Sequence, residues 1–170
     1  MLHRNIDEFL KCIPKNKRIM SLDMGGKQVG IAFSDKTQLI ATAHSIYHRK
    51  NMRKDLGYLH RILKENEAES IVIGLPLSAS GQENEWCRVI IEFANKIIKK
   101  YKVNIYLQDE SFSTSMATHA LKITGISITK SKKIDDKIAA CIILQRALYQ
   151  VPLVNKRLGN EGNKNIPGTV

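Results

Sequence analysis

Cysteine is scarce in this chain, and so are acids and long apolar runs. The three cysteines, Cys12, Cys87 and Cys141, are an odd number, lie far apart and include no CxxC pair, which argues against a disulfide framework or a zinc site. Cys141 sits within an apolar stretch and reads as a small buried hydrophobe. Apolar runs such as Ile138 to Leu144 fall far short of the roughly 20 residues that span a bilayer, and no apolar signal region opens the chain. A cytoplasmic protein without a membrane partner is expected. His3, His44, His48, His60 and His119 are scattered without metal-ligand spacing. Repeats and low-complexity blocks are absent, and glycine and proline punctuate short elements instead of marking a linker. The expectation is a single domain over residues 1–150, followed by a flexible basic tail over 151–170.

Against that background the basic residues stand out: 27 Lys and Arg face 16 Asp and Glu, a formal net charge of +11. Their distribution is uneven. Ile62 to Asn95 holds two bases and six acids, whereas Met1 to Arg61 holds twelve bases against five acids, and Lys96 to Lys133 eight against Asp109 and Glu110. Solubility charge spreads evenly; charge gathered in two segments fits a polyanionic partner such as nucleic acid.

Hydrophobic periodicity gives the element order. Arg18 to Asp23 and Gln28 to Ser34 read as strands joined by the tight turn Met24-Gly25-Gly26-Lys27, and Leu39 to Tyr47 as a third antiparallel strand. The period then lengthens: Asn51 caps a helix whose apolar positions Met52, Leu56, Leu59 and Leu63 recur every three or four residues. Ser70 to Leu75 is a β-branched strand, Glu83 to Lys100 a helix, and Val103 to Leu107 a strand. Ser113 to Lys122 and Ile134 to Tyr149 are helical. Parallel strands need helical crossovers, so this β-β-β-α-β-α-β-α order predicts an α/β ribonuclease H-like fold, a mixed five-stranded sheet of order 3-2-1-4-5 with helices on both faces.

Three acidic positions fall at element ends. Asp23 closes the first strand within a DxGxxxxG pattern, Asp109-Glu110 ends the last strand, and Asp135-Asp136 opens the last helix. Clustered carboxylates repel unless a cation neutralises them, and hard oxygen ligands select Mg²⁺ or Mn²⁺. Two such ions roughly 4 Å apart can activate water and stabilise the leaving oxygen of a phosphodiester. The simpler account of Asp135 and Asp136 is that acids in the first turn complement a helix dipole. The strand order also creates a tension, because the fifth strand lies two places from the first, roughly 10 Å away. The loop carrying Glu110 must curl inward, and glutamate has the longer reach.

Four segments in this order carry a family resemblance: LDMGGKQVGIAFSD from Leu22 to Asp35, IVIGLPLSASGQE from Ile71 to Glu83, QDESFST from Gln108 to Thr114, and KKIDDKIAACIILQ from Lys132 to Gln145. Together they span about Arg18 to Tyr149, and the chain resembles the YqgF family, also called RuvX, pre-16S rRNA nucleases similar to Holliday-junction resolvases. The resemblance implies a ribonuclease H-like fold and a catalytic, metal-binding triad of Asp23, Glu110 and Asp135. It also implies trimming of the 5′ end of the small-subunit rRNA precursor, with the ribosomal subunit as an associated partner and the protein monomeric or homodimeric. Branched DNA is the other substrate it suggests. Two positions depart from the family pattern, where Gln28 and Ser111 replace arginines. Lys27, Lys130, Lys132 and Lys133 are candidate nucleic-acid contacts. Two other classes stay open: a non-catalytic RNA-binding assembly or transcription factor, and an ATP-binding domain of the actin-like type, which the chain length opposes.

Overall fold

The computed structural model describes residues 1–110 and 136–150. In chain order they form β1 (Leu2–His3), α1 (Ile6–Cys12), β2 (Arg18–Met24), β3 (Gln28–Ser34), β4 (Ala41–His48), α2 (Met52–Glu65), β5 (Ala68–Leu75), α3 (Glu85–Tyr101), β6 (Asn104–Asp109) and α4 (Asp136–Leu148). The sheet order is β1-β6-β5-β2-β3-β4. β2, β3 and β4 form the antiparallel meander, while β5 pairs parallel with both β2 and β6.

The five expected strands keep the order read from the sequence, but the sheet has a sixth. Leu2–His3 pairs parallel with β6 at its outer edge, and the Met1 ammonium donates to the Val103 carbonyl at 2.9 Å. Two residues are too few to display a period of two, so the pattern gave no hint of this strand. The predicted helix over Ser113 to Lys122 and the tail over 151–170 lie outside the described residues.

Alternation along each strand divides the core in two. Met20, Leu22 and Met24 of β2 join Ile71, Ile73 and Leu75 of β5 beneath α2 and α3, whereas Ile19 and Val72 face α4 and α1. Burying each such side chain contributes roughly 1.5–3 kcal/mol. Helix ends are fixed locally. The Asn51 side chain accepts from Lys54 N at 3.0 Å to open α2, and Asn84 accepts from Cys87 N at 2.9 Å to open α3. Because Asn84 takes the cap, α3 starts at Glu85 and not at the expected Glu83. No helix among the described residues is long and apolar enough to cross a membrane.

Candidate active site

Asp23 is the penultimate residue of β2, paired across the meander with Gly30. Leu22 and Met24 belong to the α2/α3 side, so Asp23 projects to the α4 side together with Ser21, whose hydroxyl donates to the Ala140 carbonyl at 2.7 Å. After Asp23 the chain reverses through Gly25, whose N–H donates to the Gln28 carbonyl at 2.9 Å. A Cβ on Gly25 would lie 2.7 Å from that carbonyl oxygen, which is why glycine stands there.

β6 delivers the second acid. The strand ends at Asp109, and the Glu110 N–H donates to the Leu75 carbonyl at 3.1 Å, so the first residue past the strand is tied to its neighbour β5. Arg146 of α4 secures the same corner by donating to the Asp109 carbonyl at 2.9 Å. The Glu110 side chain then lies across β5 over Gly74: a Cβ built on Gly74 would overlap a Glu110 carboxylate oxygen and fall 2.6 Å from Ile143 Cδ1. The absence of a side chain at Gly74 therefore opens the path by which Glu110 spans the intervening strand toward Asp23, which resolves the tension in the strand order.

Electrostatics record the result. Burial, reinforced by the negative charges of Asp23 and Asp109, pushes the Glu110 carboxyl up to about 7 from 4.5. A carboxyl so placed is poised near neutrality and gains from any cation that relieves its desolvation and like-charge repulsion. Cys141, by contrast, is buried with its thiol pushed up to about 11 chiefly by desolvation, an inert packing residue as expected.

Of the residues singled out from the sequence, Asp23 and Glu110 come together. Lys27 is exposed in the β2–β3 turn, beyond the end of the strand that carries Asp23. Asp135, Lys130, Lys132, Lys133 and Ser111 lie outside the described residues. Among the described residues no group of three His, Cys, Asp or Glu side chains is arranged to hold a metal ion. Sequence reasoning missed three positions. Gly74 had a signal, being the one residue without a side chain in the strand Ile71 to Leu75. Arg146 and Asp55 had none. Buried Asp55 accepts from Tyr47 Oη at 3.0 Å, Lys50 N at 2.9 Å and Arg49 Nε at 3.4 Å, and Arg49 Nη1 reaches the Gly25 carbonyl at 3.2 Å. That chain of bonds fixes the glycine turn beside Asp23.

Comparison with known proteins places the chain in a family. A curated protein of Wolbachia pipientis wMel named "Putative pre-16S rRNA nuclease" is 82% identical over 151 residues, covering 89% of this chain and 97% of that protein. A protein of the same name from Ehrlichia ruminantium is 57% identical over 153 residues, covering 90% and 98%. Among solved structures, Thermus thermophilus RuvC in complex with a Holliday junction substrate aligns with a TM-score of 0.55 at 12% identity, over 81% of this chain and 97% of that one. RuvC alone gives 0.53 at 14%, over 84% and 96%. Such identities speak to the fold, which is the ribonuclease H-like one. The RuvX family model, described as Holliday junction resolvase, matches residues 17–150, and with relatives this similar along nearly their whole length the chain belongs to the RuvX family.

Proposed function

We propose that the protein is a divalent-metal-dependent nuclease that hydrolyses phosphodiester bonds, with the precursor of small-subunit rRNA as its substrate. One observation carries the reading: Glu110 crosses β5 over Gly74 to share the electrostatic field of Asp23. Folding that merely sought stability would gain nothing by gathering two carboxylates in a partly desolvated place. The basic composition of the chain suits a nucleic acid, and the names of the close relatives favour RNA within that chemistry, with the cytoplasm, where ribosomal precursors are processed, as its location.

The donor set fits Mg²⁺ or Mn²⁺, because Asp23 and Glu110 offer hard carboxylate oxygens and the repulsion between them is what a divalent ion offsets. Asp135, which directly precedes α4 in the chain, is the third ligand of this proposal. Bound there, the metal would supply Lewis-acid activation of water and charge neutralisation at the reacting phosphate. The protein's own part is positioning. The sheet holds Asp23, the Leu75 carbonyl anchors Glu110, and Gly74 keeps the path between them open. Glu110, titrating near neutrality, is able to exchange a proton at its carboxylate as it passes between its free and occupied states.

The test is cleavage of a labelled precursor RNA and a matched branched DNA, with and without Mn²⁺, by the parent protein and Asp23→Asn. Metal-dependent RNA cutting lost in the variant is the expected result. Binding without cutting in every condition would make the protein a non-catalytic RNA-binding factor, and cutting confined to the branched DNA would move the substrate to recombination junctions.

A further inference from the structure

A second feature stands at the end of the β2–β3 hairpin. A cavity of about 530 Å³ opens there, lined by Gly26 and Lys27 of the turn, by His48, Lys50 and Met52, and by Trp86 at the start of α3. Its walls are basic: Lys27 and Lys50 are exposed, and neither forms an ion pair among the described residues. The acid in the lining, Asp55, is buried and occupied by Arg49, Tyr47 and the Lys50 N–H, so its charge is not offered to the cavity.

Trp86 gives the cavity an aromatic wall. Its indole Nε1 donates to the Met24 carbonyl at 3.1 Å, which holds the ring in one orientation. Phe93 and Ile97, at helical spacing from it on α3, are fully in the core, whereas Trp86 is only half-buried. A fixed, partly exposed aromatic ring beside lysines is the combination by which proteins hold unpaired nucleotides, the base stacking on the ring and the phosphates lying against the cations.

The place of the cavity relative to the acids decides what form of nucleic acid enters it. Gly26 follows Asp23 by three residues, at most about 11 Å of extended chain. Asp23 faces the α4 side of the sheet, while Trp86 and Met52 pack against the core on the opposite side. A strand running from the acids into the cavity must turn over the glycine hairpin, where Gly26 presents open space. An unpaired strand makes such a turn freely, but a duplex, stiff over roughly 150 base pairs, does not.

From these observations, and resting on the nuclease reading above, we infer that the Lys27–Lys50–Trp86 cavity is a subsite for single-stranded polynucleotide adjoining the cleaved phosphate. The protein selects substrates with an unpaired segment beside the cut. Trp86 stacks a base, and Lys27 and Lys50 contact the phosphates on either side of it.

Trp86 is the sole tryptophan of the chain, so its fluorescence reports occupancy directly. The experiment uses full-length Asp23→Asn protein and a single-stranded RNA of roughly 12 nucleotides, within the range such sites cover, read by Trp86 quenching and, with a labelled strand, by polarisation. Quenching should saturate at the same concentration as polarisation, and a blunt duplex of equal length should quench little. Replacing both lysines (Lys27→Gln with Lys50→Gln) should lower the slope of log K against log salt by about 1.4, two phosphates at roughly 0.7 each. Trp86→Leu should weaken binding about fivefold or more, and Trp86→Phe, which keeps a stacking face, should restore most of it. Binding seen by polarisation without quenching, or with an unchanged salt slope in the lysine variant, overturns the subsite and leaves the nuclease reading intact. Equal quenching by the duplex overturns the preference for an unpaired strand. Absence of any binding overturns both.

Discussion

Replacing Glu110 by glutamine should stabilise the metal-free protein, and only above the pH at which the carboxyl ionises. The folded environment raises this carboxyl from 4.5 to about 7. Below about pH 4.5 the folded and unfolded chains both carry the proton, so the group has no effect on stability. Between 4.5 and 7 the unfolded chain releases it while the folded chain holds it, and above 7 the folded chain bears the full penalty of a desolvated, repelled anion. A rise of 2.5 pH units corresponds to about 3 kcal/mol, and partial solvent access at the site lowers the expected effect to about 2–3 kcal/mol. For a chain of this size that is a rise of roughly 5–10 °C in melting temperature for Glu110→Gln at pH 8, shrinking to nothing near pH 4.5. Thermal unfolding followed by circular dichroism, in EDTA and at both pH values, measures it. Mn²⁺ should raise the melting temperature of the parent at pH 8 by more than that of the variant, since the ion relieves what the substitution removes. A variant no more stable than the parent at pH 8, or one equally stabilised at both pH values, would refute the electrostatic account of the Asp23–Glu110 pair.

Gly74→Ala should lose cleavage and destabilise the fold by about 1–3 kcal/mol, because the new methyl meets Glu110 and Ile143; in a Glu110→Ala background the same change should be less damaging, a coupling that a double-mutant cycle in urea reads. Asp55→Ala strands the half-buried Arg49 and removes the acceptor of Tyr47 and Lys50 N, so denaturant unfolding should show a loss of about 3–5 kcal/mol. Gln145 is buried and ties the entry of β4 to α4, accepting from Ala41 N at 2.8 Å and donating to the Leu39 carbonyl at 2.9 Å. Gln145→Leu leaves both groups unpaired and should lower stability by about 2 kcal/mol in the same assay.

The functional reading draws on two kinds of information that meet at Glu110. Its acidity and its place at a strand end are visible in the sequence, but a glutamate at the end of a strand is commonplace. What distinguishes it is the neighbour that makes room for it, and that neighbour, Gly74, lies 36 positions earlier in the chain. The motif QDESFST, from Gln108 to Thr114, draws attention to the same acid without explaining how it reaches toward Asp23 from two strands away.

The sequence by itself determined the elements and their order. The apolar strand Arg18 to Asp23, the unbroken β-branched run Ser70 to Leu75, the three-and-four spacing of Leu56, Leu59 and Leu63, and the cap Asn51 act over a few residues, so a local reading recovers them. The order of the five main strands follows from the crossover helices for the same reason. Tertiary structure alone decided what crosses between elements. It added β1 at the edge through backbone pairing that two residues cannot announce. It seated Asp55 beneath Arg49 and so fixed the glycine turn. It also brought Trp86 beside Lys27 and Lys50, residues from three segments that share no period. Such contacts depend on which strands lie adjacent and how far side chains reach across them, quantities set by the packed sheet and absent from any short stretch of the chain.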